Sequence, residues 1–425
     1  MFRLIAILIL VGSTVSAEDW AQWRGNNRDG VWRETGIVSS FDKLAPVWQA
    51  EVGSGYSGPT VASGRVYVMD RVTKPRQVER VHCFSEETGK SLWTHTYDAP
   101  YRNVSYTAGP RTSVQIHEGI AYSLGTMGHL FAFDAADGRV LWSHELNTEY
   151  AIDMPEWGIS AAPLIMEDVL FVHIGGTPDA TVVAFGLKDG KERWRALKDR
   201  ASYSAPIMIE QAGKPVIVVW TGDNIVGLDP LTGRTYWTLP FEPSRMVIGI
   251  ATPIVKDNKL FVSSFFDGAM MVDLHPSELS AKRAWASAGP DERNTESLHS
   301  LISTPIWLGD HIYGIDSYGE LRAIRASDGK RVWTDTTAVR KARWSTAHFV
   351  QHHDNVWIFN EEGELILSQL SPEGFKVLSR ALLIEPSRDQ LNRRGGVTWS
   401  HPAFANGHVF IRNDHELISV DLRAR

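Results

Sequence analysis

Arg111 is the residue whose surroundings point most directly to recognition of a small molecule. It opens one of eight copies of a short phrase whose other seven copies open with Ser or Ala: Ser57-Gly58-Pro59, Arg111-Thr112-Ser113, Ala161-Ala162-Pro163, Ser204-Ala205-Pro206, Ala251-Thr252-Pro253, Ser303-Thr304-Pro305, Ser345-Thr346-Ala347 and Ser400-His401-Pro402. One place before each lie Tyr56, Pro110, Ser160, Tyr203, Ile250, Ile302, Trp344 and Trp399. A guanidinium among Tyr56, Tyr203, Trp344 and Trp399 would clamp an anion or carboxylate, and flat aromatic walls suit a planar or sugar-like ligand. Trp157, Arg343 and His401 extend the candidate rim, with Arg71, Arg102 and the Arg393-Arg394 pair in loops beyond it. The bland alternative pairs Arg111 with Asp153 or Glu156 and leaves the aromatics to plug a channel.

Other chemistry-bearing residues read as structural. His348 and His352 share a face of a strand, and His353 follows, yet no carboxylate or fourth ligand stands at a diagnostic metal spacing. Cys83, the single cysteine, sits in an alternating apolar stretch and reads as a buried thiol. Asp134, Asp229 and Asp421 belong to turns, where a carboxylate caps backbone N–H groups.

The elements that must carry the candidate ring recur along the chain. A turn glycine is followed four residues later by tryptophan in Gly89/Trp93, Gly138/Trp142, Gly190/Trp194, Gly233/Trp237 and Gly329/Trp333. Trp48 and Trp285 stand at the same point of their units without that glycine, and Gly374 is followed at the same distance by Leu378. These landmarks are spaced 43 to 52 residues apart, with short alternating runs between them. That period is the mark of a four-stranded propeller blade. In the second unit the strands are predicted over 113–117, 120–125, 129–134 and 140–146.

Proline is tolerated at the first residue of a strand, and small neighbours suit the crowded centre of a ring, so the opening phrases mark eight innermost strands. The docking tryptophans, Trp48, Trp93, Trp142, Trp194, Trp237, Trp285 and Trp333, fall on outermost strands, covering edges between blades with the indole N–H on a carbonyl. The last unit has three strands, and 46–52 reads as its missing outer strand, closing the ring. The fold class is therefore all-β: one eight-bladed propeller over residues 45–425.

Before it, residues 1–17 have the layout of a signal peptide: Arg3, an apolar run from Leu4 to Val11, and small residues up to a cut near Ala17. The run is far short of the ~20 residues that span a bilayer, so the mature chain is expected to lack a transmembrane helix and to be periplasmic or secreted. Residues 18–44 carry Trp20, Trp23 and Trp32 among Arg, Asn and Gly, and are expected to wrap along the propeller and dock these tryptophans in blade grooves. A net charge of -7 with dispersed basic residues gives no nucleic-acid footprint. A monomer is expected.

Ala132-Phe133-Asp134 with Gly138 and Trp142, and Asp229 with Thr232-Gly233 and Trp237, resemble the tryptophan-docking repeat of quinoprotein alcohol dehydrogenases and the wider PQQ-binding-like propeller family. The resemblance covers about residues 45 to 425. It implies two roles: a non-catalytic binding or scaffold propeller, as in the outer-membrane barrel-assembly machinery, with a protein or cell-envelope carbohydrate partner, or a PQQ-dependent oxidoreductase of alcohols or sugars. Dehydrogenases of the family hold PQQ over the propeller with Ca2+ on the quinone and an aspartate base. The ring of two adjacent cysteines common among them is impossible with Cys83 alone, and no matching Glu, Asn and Asp metal set can be placed. The binding role is therefore the expectation, with the modified-site oxidoreductase as the alternative.

Overall fold

The computed structural model describes residues 17–391 and 395–424; the expected leader up to Ser16 and the Arg393-Arg394 pair lie outside the described residues. The eight opening phrases lead into eight four-stranded antiparallel sheets, each a simple meander. In the first blade the strands are Thr60–Ala62, Arg65–Val72, Val78–Ser85 and Ser91–Asp98, running from the centre outward. The second follows with Gln115–His117, Ile120–Leu124, His129–Asp134 and Val140–Glu145, within two residues of the bounds predicted for it. The eighth combines Ala403–Ala405, His408–Arg412 and Glu416–Asp421 with Pro46–Glu51 from the other end of the chain. Trp48 faces Ser419 and Glu51 faces Glu416, so the two ends share one sheet and the ring has no open edge there. Among the described residues no helix is long and apolar enough to cross a membrane.

Six of the seven docking indoles donate to the following blade. Trp48 Nε1 donates to the carbonyl of Glu86, Trp93 to Ala135, Trp142 to Leu187, Trp194 to Pro230, Trp285 to Ala326 and Trp333 to Ser371, at 2.7–3.1 Å. The rings lie on the turn glycines of that blade: a Cβ added at Gly89, Gly138, Gly190, Gly233 or Gly329 would come within 2.5–2.7 Å of the preceding blade's indole. The glycine therefore serves packing between blades as well as turn geometry.

A bulge aims the indoles. In every blade the pairing of the outermost strand slips by one residue just before the docking position, as at Leu92 before Trp93 and Leu141 before Trp142. A bulge adds local twist and re-aims the next side chain. The skipped residues Val47, Leu92, Leu141 and Val332 are correspondingly among the exposed large apolar side chains.

Two blades depart from the pattern, and each departure is compensated. In the seventh, the register sets Ser379 opposite Leu367 at the docking position and leaves Leu378 on the bulge, which corrects the assignment of Leu378 as the landmark. The missing indole is replaced from the N-terminal segment: Phe41 donates its N–H to Ser379 Oγ at 2.8 Å and stacks on Trp357. In the fifth, the 275–282 turn has no glycine for Trp237. Gln211 bridges instead, its Oε1 accepting the Trp237 indole N–H at 2.9 Å while its Nε2 donates to the carbonyls of His275, Glu278 and Ser280. Gln211→Ala leaves the buried Trp237 indole N–H unpaired and removes the amide that ties it to the 275–282 turn. It should lower stability by about 1–3 kcal/mol, read as a shifted urea midpoint at unchanged slope.

The N-terminal segment divides its tryptophans. Trp20 and Trp32 are fully buried against Val61, Trp357 and Phe404, in the grooves where the eighth blade meets its neighbours. Trp23 instead enters the central channel, donating its indole N–H to Thr252 Oγ1 at 2.8 Å and meeting His401 edge-on at 4.3 Å between centroids. Arg28 anchors the same segment under the ring, on the carbonyls of Pro163 and Pro206.

Candidate functional site

Innermost strands begin at one face of the ring, so the residue preceding each opening phrase must face the axis there. Seven of the eight do so: Tyr56, Ser160, Tyr203, Ile250, Ile302, Trp344 and Trp399 line one cavity of about 140 Å³. Pro110 does not; its neighbours Tyr106 and Arg111 take that sector. Trp157 and His401 also line it, whereas Arg71, Arg102 and Arg343 do not. Arg343 is ion-paired to Glu292 at 2.8 Å, and Arg71 lies over the Tyr101 ring at 3.8 Å.

The walls form a connected aromatic belt. Trp157 packs on Tyr203 with centroids 4.9 Å apart, and Tyr56 tilts toward Trp399 at 6.5 Å. Tyr106 reaches across the mouth from the loop after the first blade, meeting Trp157, Trp344 and Trp399 at 6.0, 5.8 and 6.3 Å. Neither Tyr106 nor the Trp23 that closes the channel from the opposite side belongs to the repeat. Tyr106 lies in a loop between blades and Trp23 far upstream, so no periodic signal marked them.

Trp399 is fixed from behind. Its indole N–H donates to Glu361 Oε2 at 2.8 Å, and its backbone N–H donates to Gln390 Oε1 at 2.7 Å. Glu361 is fully buried and paired with Arg340 at 3.1 Å. Tyr56 donates its hydroxyl to the carbonyl of Gln390, and burial raises its phenol well above the ordinary value. Burial likewise pushes Tyr203 up to about 12, so both stay neutral at physiological pH.

Arg111 keeps none of the carboxylate pairing weighed from sequence. Its fork donates to the carbonyls of Gly109, Ser105 and Tyr106 and to Thr126 Oγ1, and its Cζ lies over the Tyr56 ring, 5.0 Å from the centroid. Asp153 and Glu156 are not its partners; among the described residues no carboxylate stands within ion-pair distance of it.

His348 and His401 complete the lower wall. His348 Nε2 donates to the Trp399 carbonyl at 2.9 Å, and His352 and His353 both direct Nε2 to the Glu34 carbonyl. His401 donates from Nδ1 to Pro402 O, so Nε2 accepts from Ser113 Oγ at 2.6 Å. Among the described residues no cluster of His, Cys, Asp and Glu is arranged to hold a metal ion. The turn carboxylates act as caps: Asp134 accepts the Ala136 N–H, Asp229 those of Leu231 and Thr232, and Asp421 that of Arg423.

Burial holds both cavity imidazoles neutral, lowering His348 to about 4 and His401 to about 3. The unfolded chain protonates these histidines near about 6.5. Their contribution to stability is therefore complete above that pH and drains away as pH falls toward the folded values. At pH 5 the loss should be about 2 kcal/mol for each histidine. Urea unfolding of wild type and His401→Gln at pH 7 and pH 5 checks this: the variant should lose less stability on acidification.

The donor set also tests the cofactor that the fold brings to mind. A hard cation such as Ca2+ requires several oxygen ligands, chiefly carboxylates and amide carbonyls. Among the described residues the cavity lining offers no Asp, Glu, Asn or Gln side chain, and its guanidinium is committed to neutral oxygens of the chain. These residues do not fit PQQ with Ca2+.

Comparison with known proteins agrees with the geometry of the ring. The sequence model described as outer membrane protein assembly factor BamB matches residues 34–151, 77–335 and 178–423. The chain is similar to the 1-butanol dehydrogenase (quinone) of Thauera butanivorans, 27% identical over 152 residues that make up 32% of this chain and 24% of that protein. It is 21% identical over 230 residues to the outer membrane protein assembly factor BamB of Shewanella oneidensis, covering 53% of this chain and 56% of the relative. The chain thus spans less than two thirds of the length of these curated relatives. Among solved structures, BamB from Moraxella catarrhalis superposes with a TM-score of 0.61 at 17% identity, covering 90% of this chain and 99% of that one. Quinohemoprotein alcohol dehydrogenase from Comamonas testosteroni gives 0.68 at 13% identity, covering 96% and 81%. At such identities the structural likeness is one of fold.

Proposed function

This chain belongs to the PQQ-repeat propeller family of the outer membrane protein assembly factor BamB, and from that premise we propose that it is an exported binding propeller of the cell envelope, receiving its ligand in the central cavity. The observation that carries this reading is the convergence of seven ring positions and Tyr106 on one aromatic cavity closed from the opposite side by Trp23. A channel serving only as the centre of the fold needs small side chains there; large rings held by Glu361, Gln390 and the Gln390 carbonyl are an arrangement for contact. Relatives named as assembly factors favour a binding role, and the carboxylate-free lining weighs against the oxidoreductase alternative.

Saturation-transfer NMR with a mixed library of neutral aromatics, aromatic anions, quaternary amines and sugars tests the reading. Several fragments should receive saturation from the wild type and lose it in Trp344→Leu/Trp399→Leu, with the circular-dichroism melt confirming that the double variant is folded. A library in which no fragment depends on these two indoles sinks the proposal. Export is tested separately by sequencing the N-terminus of the protein recovered from the periplasm, which should begin near Glu18.

A further inference from the structure

Resting on the cavity reading above, we infer that the ligand is an uncharged, planar aromatic molecule of one or two fused rings that carries a hydrogen-bond acceptor. Size sets the first limit. The volume of about 140 Å³ is close to the ~150 Å³ of an apolar cavity that accepts one benzene ring. Flat walls set the second, since Trp157, Tyr203, Trp399 and Tyr56 offer faces and edges to a ring.

Charge separates this guest from its competitors. Among the described lining residues an anion finds no free fork, because both terminal nitrogens of Arg111 already donate to Gly109, Ser105, Tyr106 and Thr126. A quaternary amine would ordinarily suit an aromatic cage. Here the Arg111 cation already lies over the Tyr56 face, and among the described residues no lining carboxylate offsets a second positive charge. Sugars need many polar partners, whereas His348, His401 and the Tyr56 hydroxyl are committed within the protein.

An uncommitted donor sits on this wall. Trp157 lines the cavity, and its indole Nε1 is shielded from solvent with no acceptor among the described residues. Buried N–H groups are nearly always paired, so an orphan beside a cavity points to an acceptor supplied by the guest. A carbonyl on the ring edge would meet that requirement.

Coumarin, a neutral bicycle with a lactone carbonyl, is the probe. Calorimetric titration should show saturable binding to the full chain, and Trp157→Phe, which removes the N–H and trims the indole to a phenyl ring, should weaken it about 3- to 10-fold. Naphthalene has no acceptor, and its affinity, measured by saturation transfer, should differ less than about 2-fold between the two proteins. Coumarin-3-carboxylate binding about 10-fold tighter than coumarin, with the advantage lost in Arg111→Gln, would overturn the inference in favour of an anion site. Choline or maltose binding more tightly than coumarin would overturn it too, while leaving the cavity a binding site. Absence of any Trp344- and Trp399-dependent fragment removes the functional reading itself.

Discussion

A chain that begins at Gly53 is expected to lose cooperative folding altogether. It lacks the outer strand Pro46–Glu51 and with it the fourth strand of the eighth blade. It also lacks Trp20, Trp32 and Phe41, which fill the grooves around that blade, and Trp48, whose indole sits on Gly89. Removing one buried Trp typically costs about 3–5 kcal/mol. Whole domains are stable by about 5–15 kcal/mol, so losing these groups together with the strand that completes the eighth blade exceeds the total. The seam has little to fall back on once opened. Asp70 is fully buried, held well below the usual carboxylate range by its bonds to His82 and Arg80, and accepts the Gly53 N–H. Arg412, equally buried, donates to the carbonyls of Gly53 and Met69. Both anchor the segment that follows the deleted strand.

Starting the chain at Leu44 keeps the strand and Trp48 but loses Trp20, Trp32 and Phe41, and should give a cooperative but lower melt. Circular-dichroism melts of the two truncated chains and the chain from Glu18 decide the matter. A Gly53 chain that melts cooperatively within a few degrees of the full one would show that the shared eighth blade does not close the ring energetically.

Gly138→Val should be severely damaging, lowering stability by about 3–5 kcal/mol. Two costs add. The backbone at Gly138 has φ of +75°, a region that β-branched residues resist, and the new Cβ would lie 2.6 Å from the Trp93 indole, itself tied to Ala135. Gly119 is the internal comparison. Its φ is +77°, but nothing lies within 4 Å of an added Cβ. Gly119→Ala should therefore cost only the conformational part, about 1–2 kcal/mol. Urea denaturation of Gly138→Ala, Gly138→Val and Gly119→Ala separates the terms. Equal losses for the two alanine variants would mean that the glycine–indole contact adds nothing beyond φ.

Much of this architecture was legible because it recurs. The Gly/Trp spacing fixed the number of blades, and the eight opening phrases located the ring of residues around the axis. The same logic failed wherever the compensation came from outside the repeat. Periodicity assigned Leu378 to a docking role that the bulge transfers to Ser379. It gave no hint that Phe41, more than three hundred residues upstream, would occupy the vacated space. Nor could it show that Gln211 would serve the lengthened 275–282 turn.

What the amino-acid sequence determined alone is the ring: alternation of side chains, turn chemistry and the spacing of tryptophans are local properties, and eight repetitions make them additive. What only the tertiary structure decided is the character of the cavity. Arg111 presents the same guanidinium in either case, but whether it clamps a ligand or braces its own loop depends on where the carbonyls of 105–109 fall. That is fixed by the path of an irregular loop across the mouth, through contacts between Tyr106 and rings from distant blades. Long-range contacts of this kind obey no period, so they become visible only once the ring has closed around them.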